Sequence, residues 1–356
     1  MLRYLAVLLV FIPISIILAR IGVPATWVFL TSAIAIIPLA GIMSEATEEL
    51  AKHMGATVGG LLNATFGNAT ELIITLLAVH AGELDVVRSS IIGSIIGNIL
   101  LVLGLAIFVG GIKFKSQKFN QNAAGTQSVM LILAVVTLLL PSLFIHAMPD
   151  HAGPAAQARV SGFGLWVAGL LMTLYISNLI FSLVTHREIF TDPHTLTEEE
   201  PPHWSKRTAF LLLAGATLAV AVESNLLVSG IAPTVKAWGL SKLFVGVILI
   251  PIIGNAAEHA TAVVMAVKDR IDVTLNICVS SSTQIDLFVA PLIVFVSVPL
   301  GHPLRFVFND FEIIAVGFAA WIAALIARDG ESNWFEGAQL LILYAILAIA
   351  FYFVQP

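Results

Sequence analysis

The chain is short of charge. Asp, Glu, Lys and Arg make up 11% of its 356 residues, against roughly 25% in soluble domains. A water-soluble fold of this size needs more charge than that to cover its surface. Cysteine is almost missing: Cys278 stands alone in an apolar segment, so no intrachain disulfide can form. Period-two alternation is missing as well, which disfavours strands and a transmembrane barrel. No His-Glu-x-x-His or other nucleophile or metal dyad is visible, which argues against an enzyme. Nothing suggests lipidation or nucleic-acid binding, and a resident cofactor is not expected. The net charge of −5 says little about partners.

What is abundant is apolar sequence. Hydrophobic residues form 58% of the chain, and residues 1–18, 28–43 and 131–140 carry almost no charge. A crossing of the hydrocarbon core takes about 20 mainly apolar residues. The class is therefore all-α integral membrane. Eleven helical spans can be drawn, at roughly 4–21, 25–44, 56–80, 85–111, 128–147, 161–186, 207–231, 241–267, 273–298, 306–327 and 336–354. The first apolar block is long for a signal-peptide core and another follows at once, so it reads as a retained helix.

Basic residues orient the spans. Arg3, Lys52, Lys113, Lys115, Lys118, Arg187, Lys206, Arg207, Lys268, Arg270 and Arg328 fall on the N-terminal side. Arg20, Arg88, Arg159, Lys236, Lys242 and Arg305 fall on the other. The bias places the N-terminus in the cytoplasm and the C-terminus outside. The longest polar loop holds Glu198-Glu199-Glu200-Pro201-Pro202. It reads as a solvated acidic cytoplasmic linker, or, more sharply, as an acidic surface that gathers divalent cations.

That linker separates similar halves. Gly67-Asn68-Ala69-Thr70-Glu71 recurs 187 residues later as Gly254-Asn255-Ala256-Ala257-Glu258. The same offset sets Gly93-Ser94-Ile95-Ile96-Gly97-Asn98 against Ser280-Ser281-Ser282-Thr283-Gln284-Ile285. Two polar patches in register argue for a duplicated five-span unit. An odd span number inverts the second copy, the inverted-repeat design of many transporters, with its site near the midplane. The expected organisation is an extra helix over 1–22, a first repeat over 23–187, the linker over 188–206 and a second repeat over 207–356.

An ionised carboxylate at the bilayer centre costs at least roughly 2.5–3.5 kcal/mol on insertion scales. Glu71 and Glu258 sit near the middle of their spans. One isolated Glu can simply lock two helices by hydrogen bonding; two at matched repeat positions favour a cation or proton site. Asn68 and Asn255 lie three residues before the glutamates and share their faces. Gly67 and Gly254 permit close helix approach or helix breaks that free carbonyls. The result is an oxygen-only cage of the kind hard divalent ions take, with Glu71 and Glu258 as the metal carboxylates. Ser94, Asn98, Ser281 and Gln284 form a second rim, although each Ser also fits plain helix packing. His259 could tune Glu258, carry a proton, or make an ordinary interhelical hydrogen bond. The glycosylation patterns at Asn63 and Asn68 are rejected because the segment is intramembrane.

These residues are recognisable together. Residues 38–73, PLAGIMSEATEELAKHMGATVGGLLNATFGNATELI, resemble the first signature of the calcium/cation–proton exchanger family, CAX. Residues 254–261, GNAAEHAT, and residues 280–291 resemble its second. Sodium/calcium exchangers of the wider superfamily usually read Gly-Thr-Ser-x-Pro-Glu, whereas this chain has Gly-Asn-Ala twice and the Glu-His pair. The resemblance implies an eleven-helix antiporter that exports cytosolic Ca²⁺ in return for H⁺, with Mn²⁺ and other divalents open as cargo. It implies that Glu71 and Glu258 bind cation and proton alternately. It implies that spans two and seven move as gates, span two with Glu45 and Glu48 and span seven with Ser224. Asn225 stands where the family usually has a glutamate, and Glu223 lies two residues earlier. Asp286 replaces a residue that is usually small and apolar, and its role stays open. Without the long N-terminal extension of plant vacuolar members, a prokaryotic plasma membrane is the expected location, and an oligomer is compatible. A sodium-coupled exchanger of the same fold and a cation channel are the alternatives.

Overall fold

The computed structural model describes residues 6–148, 153–186 and 201–354. Most of the acidic linker, including its three consecutive glutamates, lies outside the described residues. Thirteen helical segments follow in order: α1 (Ala6–Ile21) and α2 (Ala25–Lys52); α3 (Ala56–Phe66) and α4 (Ala69–His80); α5 (Leu84–Phe114), α6 (Gln121–Ile145), α7 (Ala156–Thr185) and α8 (Lys206–Trp238); α9 (Lys242–Gly254) and α10 (Ala256–Val267); then α11 (Ile271–Ser297), α12 (Asp310–Ile326) and α13 (Trp334–Phe353).

Seven of these are long and apolar enough to cross a bilayer: α2, α5, α6, α7, α8, α11 and α13. The pairs α3–α4 and α9–α10 meet the same criterion as bent spans, with bends of 40° and 63°. The chain is an integral membrane protein. Large apolar side chains such as Trp166, Leu170, Leu218 and Ile342 stand exposed on its flanks, where only lipid can cover them.

Four details correct the sequence reading. The spans drawn as single helices over 56–80 and 241–267 are each two helices joined at a break. α2 runs to Lys52, not 44, so Glu45, Glu48 and Glu49 ride on the helix itself. The tenth span starts at Asp310, because residues 302–309 run without regular structure until a capping box starts the helix. Asn309 accepts from the Glu312 amide at 2.9 Å, and Glu312 returns the bond at 3.0 Å. Finally, strands are not wholly absent. Ser116–Lys118 (β1) pairs antiparallel with Glu331–Asn333 (β2), tying the end of α5 to the start of α13.

Packing follows the small residues. The most extensive interface in the chain joins α2 to α8. There a Cβ on Gly230 would stand 2.8 Å from Phe29 Cβ, so the two helices nearly touch. α5 runs through the middle of the main core. Ile91, Ile92, Ile95, Ile96, Ile99 and Leu100 on it are all buried, walled by α9, α11 and α13. A smaller cluster of Leu39, Met43, Ala46, Leu50, Ala69, Leu213, Ala216 and Val220 joins α2, α4 and α8.

Candidate cation site

Both helix breaks are built alike. Asn68 and Asn255 each sit at φ −98°, with ψ 21° and 7°. Each is the residue preceding a new helix, and each glutamate falls in that helix's first turn. Asn-x-x-Glu at a helix start normally forms a capping box. Here neither Asn side chain caps its helix. Both amides are turned inward instead. The free N–H groups and the positive end of each helix dipole therefore lie beside a carboxylate or whatever it holds.

The two halves complete each other's walls. A Cβ on Gly254 would stand 2.7 Å from Glu71 Cγ. A Cβ on Gly67 would stand 3.5 Å from Glu258 Oε1 and 3.7 Å from Gln284 Oε1. Each site glycine thus lies beside the other half's glutamate: a side chain at 254 would crowd Glu71, whereas one at 67 would meet Glu258 at ordinary contact distance. The serines show the same exchange. Asn255 Nδ2 donates to Ser94 Oγ at 3.5 Å, and Ser281 Oγ donates to Asn68 Oδ1 at 2.8 Å.

The rim residues form two hydrogen-bonded strings. In the short one Ser94 accepts from Asn255 and donates to Glu71 Oε1 at 3.4 Å. In the long one His259 Nε2 lies 3.3 Å from Asn98 Oδ1, and Asn98 Nδ2 donates to Ser281 Oγ at 3.1 Å. Ser281 then donates to Asn68, whose Nδ2 donates to Gln284 Oε1 at 2.8 Å. Because Asn98 Oδ1 can only accept, this pattern assigns a proton to His259 Nε2. Gln284 Oε1 thus holds the Asn68 amide in place.

Some oxygens are left over. Asn255 Oδ1 and Glu258 Oε2 are buried and have no hydrogen-bond partner among the described residues. A buried acceptor without a donor is costly, and a cation satisfies it. Together with the Glu71 carboxylate they present carboxylate and amide oxygens from both halves to one space. That set suits a hard cation. Asn68 differs from its repeat mate, because its oxygen is already engaged by Ser281.

The two approaches to this space are unequal. α9 is buried over most of its length, and a Cβ on Gly93 of α5 would stand 2.2 Å from Val247 O. α3, its counterpart, exposes Val58, Leu61, Asn63 and Gly67. Gly67, exposed at the end of α3 beside Glu258, leaves the site less covered on the α3 side than on the α9 side.

The expected gate residues lie on α2 and α8. Glu48 points outward and pairs with Lys52 at 3.4 Å. Glu45 has one buried oxygen without a partner, and so does Ser224. Two residues escaped the sequence reading. Glu49 accepts from Lys52 Nζ at 2.7 Å and from Trp204 N at 2.9 Å, pinning the end of the linker to α2. Ser15 on α1 lies 2.8 Å from both carboxylate oxygens of the fully buried Glu223 on α8. The signal available for that contact was a Glu in an apolar helix; its partner, one Ser in another apolar run, gave none.

Comparison with known proteins now adds to this geometry. The family described as "Sodium/calcium exchanger protein" matches residues 24–184 and 208–353. A Ca(2+)/H(+) antiporter of Synechocystis sp. is 43% identical, covering 98% of this chain and 96% of that protein. The Ca(2+)/H(+) antiporter ChaA of Bacillus subtilis is 41% identical, covering 96% of each. The structure of native YfkE superposes with a TM-score of 0.85 at 37% identity, over 98% of this chain and 99% of that one. The chain belongs to the sodium/calcium exchanger protein family, on its calcium/cation–proton exchanger branch.

Proposed function

We propose that the chain is a secondary active antiporter that exports cytosolic Ca²⁺ in exchange for H⁺ by alternating access. The observation that carries this reading is the reciprocal seating of Glu71 against Gly254 and of Glu258 beside Gly67. Two carboxylates converging in an apolar interior cannot both stay bare. A divalent cation neutralises them, and so do protons. If the pair crosses only when neutralised, cation and protons must alternate. The relatives' shared description as Ca²⁺/H⁺ antiporters supports the choice of ions.

In this reading Glu71, Glu258 and Asn255 ligate the cation, and Asn68 joins them once Ser281 releases it. Ser94, Asn98, Ser281, Gln284 and His259 hold the ligands in place. The chain crosses the membrane eleven times: α1, α12, the seven long helices and the two bent pairs. Residues 23–187 and 207–356 form the inverted repeats, with residues 1–22 outside them and the acidic linker between. The two stretches matched by the family support that division. The N-terminus is cytoplasmic and the C-terminus external. The less covered α3 side then faces the cytoplasm, so the arrangement is open inward. Glu45 and Glu48 on α2 and Ser224 on α8 line the moving gate. A bacterial plasma membrane is the setting, and the protein acts as a transporter, not an enzyme.

The test is transport in proteoliposomes. Glu71→Gln and Glu258→Gln each abolish Ca²⁺ uptake driven by a pH gradient. Normal uptake by both variants refutes the assignment. Uptake driven by a sodium gradient at equal pH transfers the reading to sodium coupling.

A further inference from the structure

Glu71 and Glu258 are not the only carboxyls inside the membrane. Asp286 on α11 is 0% exposed, and neither of its oxygens has a hydrogen-bond partner among the described residues. A bare carboxylate in that position loses its hydration and gets nothing back. Something must complete it.

The repeat shows that the fold does not need it. The residue 187 positions earlier is Ile99, also 0% exposed. Both residues lie on π-helical turns, Gly97–Val102 in α5 and Ile285–Val289 in α11. π-turns of this kind are frequent at functional sites. An apolar side chain therefore packs well at the equivalent place, and the acid replaces it at a cost.

Its neighbours offer no partner. Asp286 lies roughly 140° around the helix from Ser281, on the face away from the cation site. Ser282 and Thr283, beside it, return their hydroxyls to Cys278 O and Val279 O at 2.8 Å each. The turn packs against α5, α6 and α7. On α5 the ionisable groups are Asp85 and Arg88, paired with each other at the helix start, and Lys113 near its far end, whose Nζ donates to Val267 O at 2.8 Å. α6 has none over 121–145. α7 has Arg159, and Tyr175, whose hydroxyl donates to Ala64 O at 3.0 Å. α11 itself adds Asp272 and the buried Cys278. None of these forms a hydrogen bond or ion pair with Asp286. A metal ion needs several oxygens, and the surroundings are apolar. A proton needs one.

We infer that Asp286 is a third proton-binding carboxyl of this exchanger, separate from the glutamate pair and lying behind the cation site. It holds a proton in the arrangement described here and exchanges it as α11 changes its packing during the cycle. This inference rests on the Ca²⁺/H⁺ reading above, and the measurements keep the two apart.

Purified full-length protein is reconstituted, and protons moved per Ca²⁺ are counted by paired Ca²⁺ and pH indicators. Asp286→Asn continues to move Ca²⁺ with one proton fewer per ion. Asp286→Ile, which copies Ile99, gives the same result and covers the case in which the amide does not fold. In infrared spectra of Glu71→Gln/Glu258→Gln, a protonated-carboxyl band persists and is lost when either Asp286 substitution is added. An unchanged proton count in both Asp286 variants, or no band lost on substitution, overturns the inference while leaving the glutamate pair untouched. Transport surviving in Glu71→Gln and Glu258→Gln overturns the exchange reading, and the band still reports on Asp286.

Discussion

Gly254→Ala adds a single methyl group at the tightest point of the site. Its carbon would stand 2.7 Å from Glu71 Cγ and 3.5 Å from Glu71 Cδ. Ordinary carbon contacts settle near 3.5–4.0 Å, so the glutamate must retreat by about 1 Å. Overpacking of this kind costs about 1–3 kcal/mol. Because the displaced group is a ligand in the proposed site, much of that cost is expected as lost cation affinity. At 1.4 kcal/mol per tenfold, Ca²⁺ binding weakens by roughly 5- to 150-fold. The matching change, Gly67→Ala, is gentler on its carboxylate, since the new carbon meets Glu258 Oε1 at 3.5 Å. Its closest contact, 2.9 Å, is with Asn63 O in the preceding turn. Isothermal titration of both variants at one pH measures the difference. The reasoning requires Gly254→Ala to lose more affinity than Gly67→Ala. Wild-type affinity in Gly254→Ala, or the reverse order, refutes it.

Ca²⁺ affinity should depend steeply on pH. In the proposed scheme protons and cation compete for the same two carboxylates, so affinity rises as pH rises and falls as they protonate. With both protons displaced, the dissociation constant changes by up to about 100-fold per pH unit, and in Glu71→Gln by at most about tenfold. A pH series of binding isotherms gives both slopes, and equal slopes contradict the shared-proton scheme. Gln117→Ala removes the amide that donates to Ala266 O at 2.9 Å and to Asp269 Oδ1 at 2.8 Å. Losing two hydrogen bonds costs about 1–3 kcal/mol, seen as a drop of a few degrees in the unfolding temperature in detergent, with Ca²⁺ affinity retained.

Class and site were legible to different depths. Long apolar blocks announce membrane helices because nothing else hides so many apolar residues. The offset of 187 residues exposed the matched glutamates because both polar patches kept their spacing. The breaks were less legible. Asn-x-x-Glu occurs at 68–71, 255–258, 309–312 and 333–336. At the last two it forms true capping boxes. At the first two the Asn turns away from its helix into the interior. Local spacing is the same in all four, and only the partner supplied from the other half separates them. The extra length of α2 was hidden because Glu45, Glu48 and Glu49 look like a loop by charge. On the helix, Glu48 and Glu49 are stabilised by Lys52 one turn on. The β1–β2 ribbon was invisible because it joins residues more than two hundred positions apart.

The reciprocal wall of glycine and glutamate also sets a clock on biogenesis. Glu71 leaves the ribosome about 180 residues before Gly254, the surface against which it rests. At about 5–20 residues per second, that is an interval of roughly 10–40 s. For most of that time α4 sits in the membrane with a carboxyl that Ser94 can reach but the second half of the chain does not yet shelter. During synthesis the acid must wait as a protonated or water-bound side chain, and the arrival of α9 and α10 closes the chamber. The candidate site can therefore form only after both halves of the chain are in the membrane.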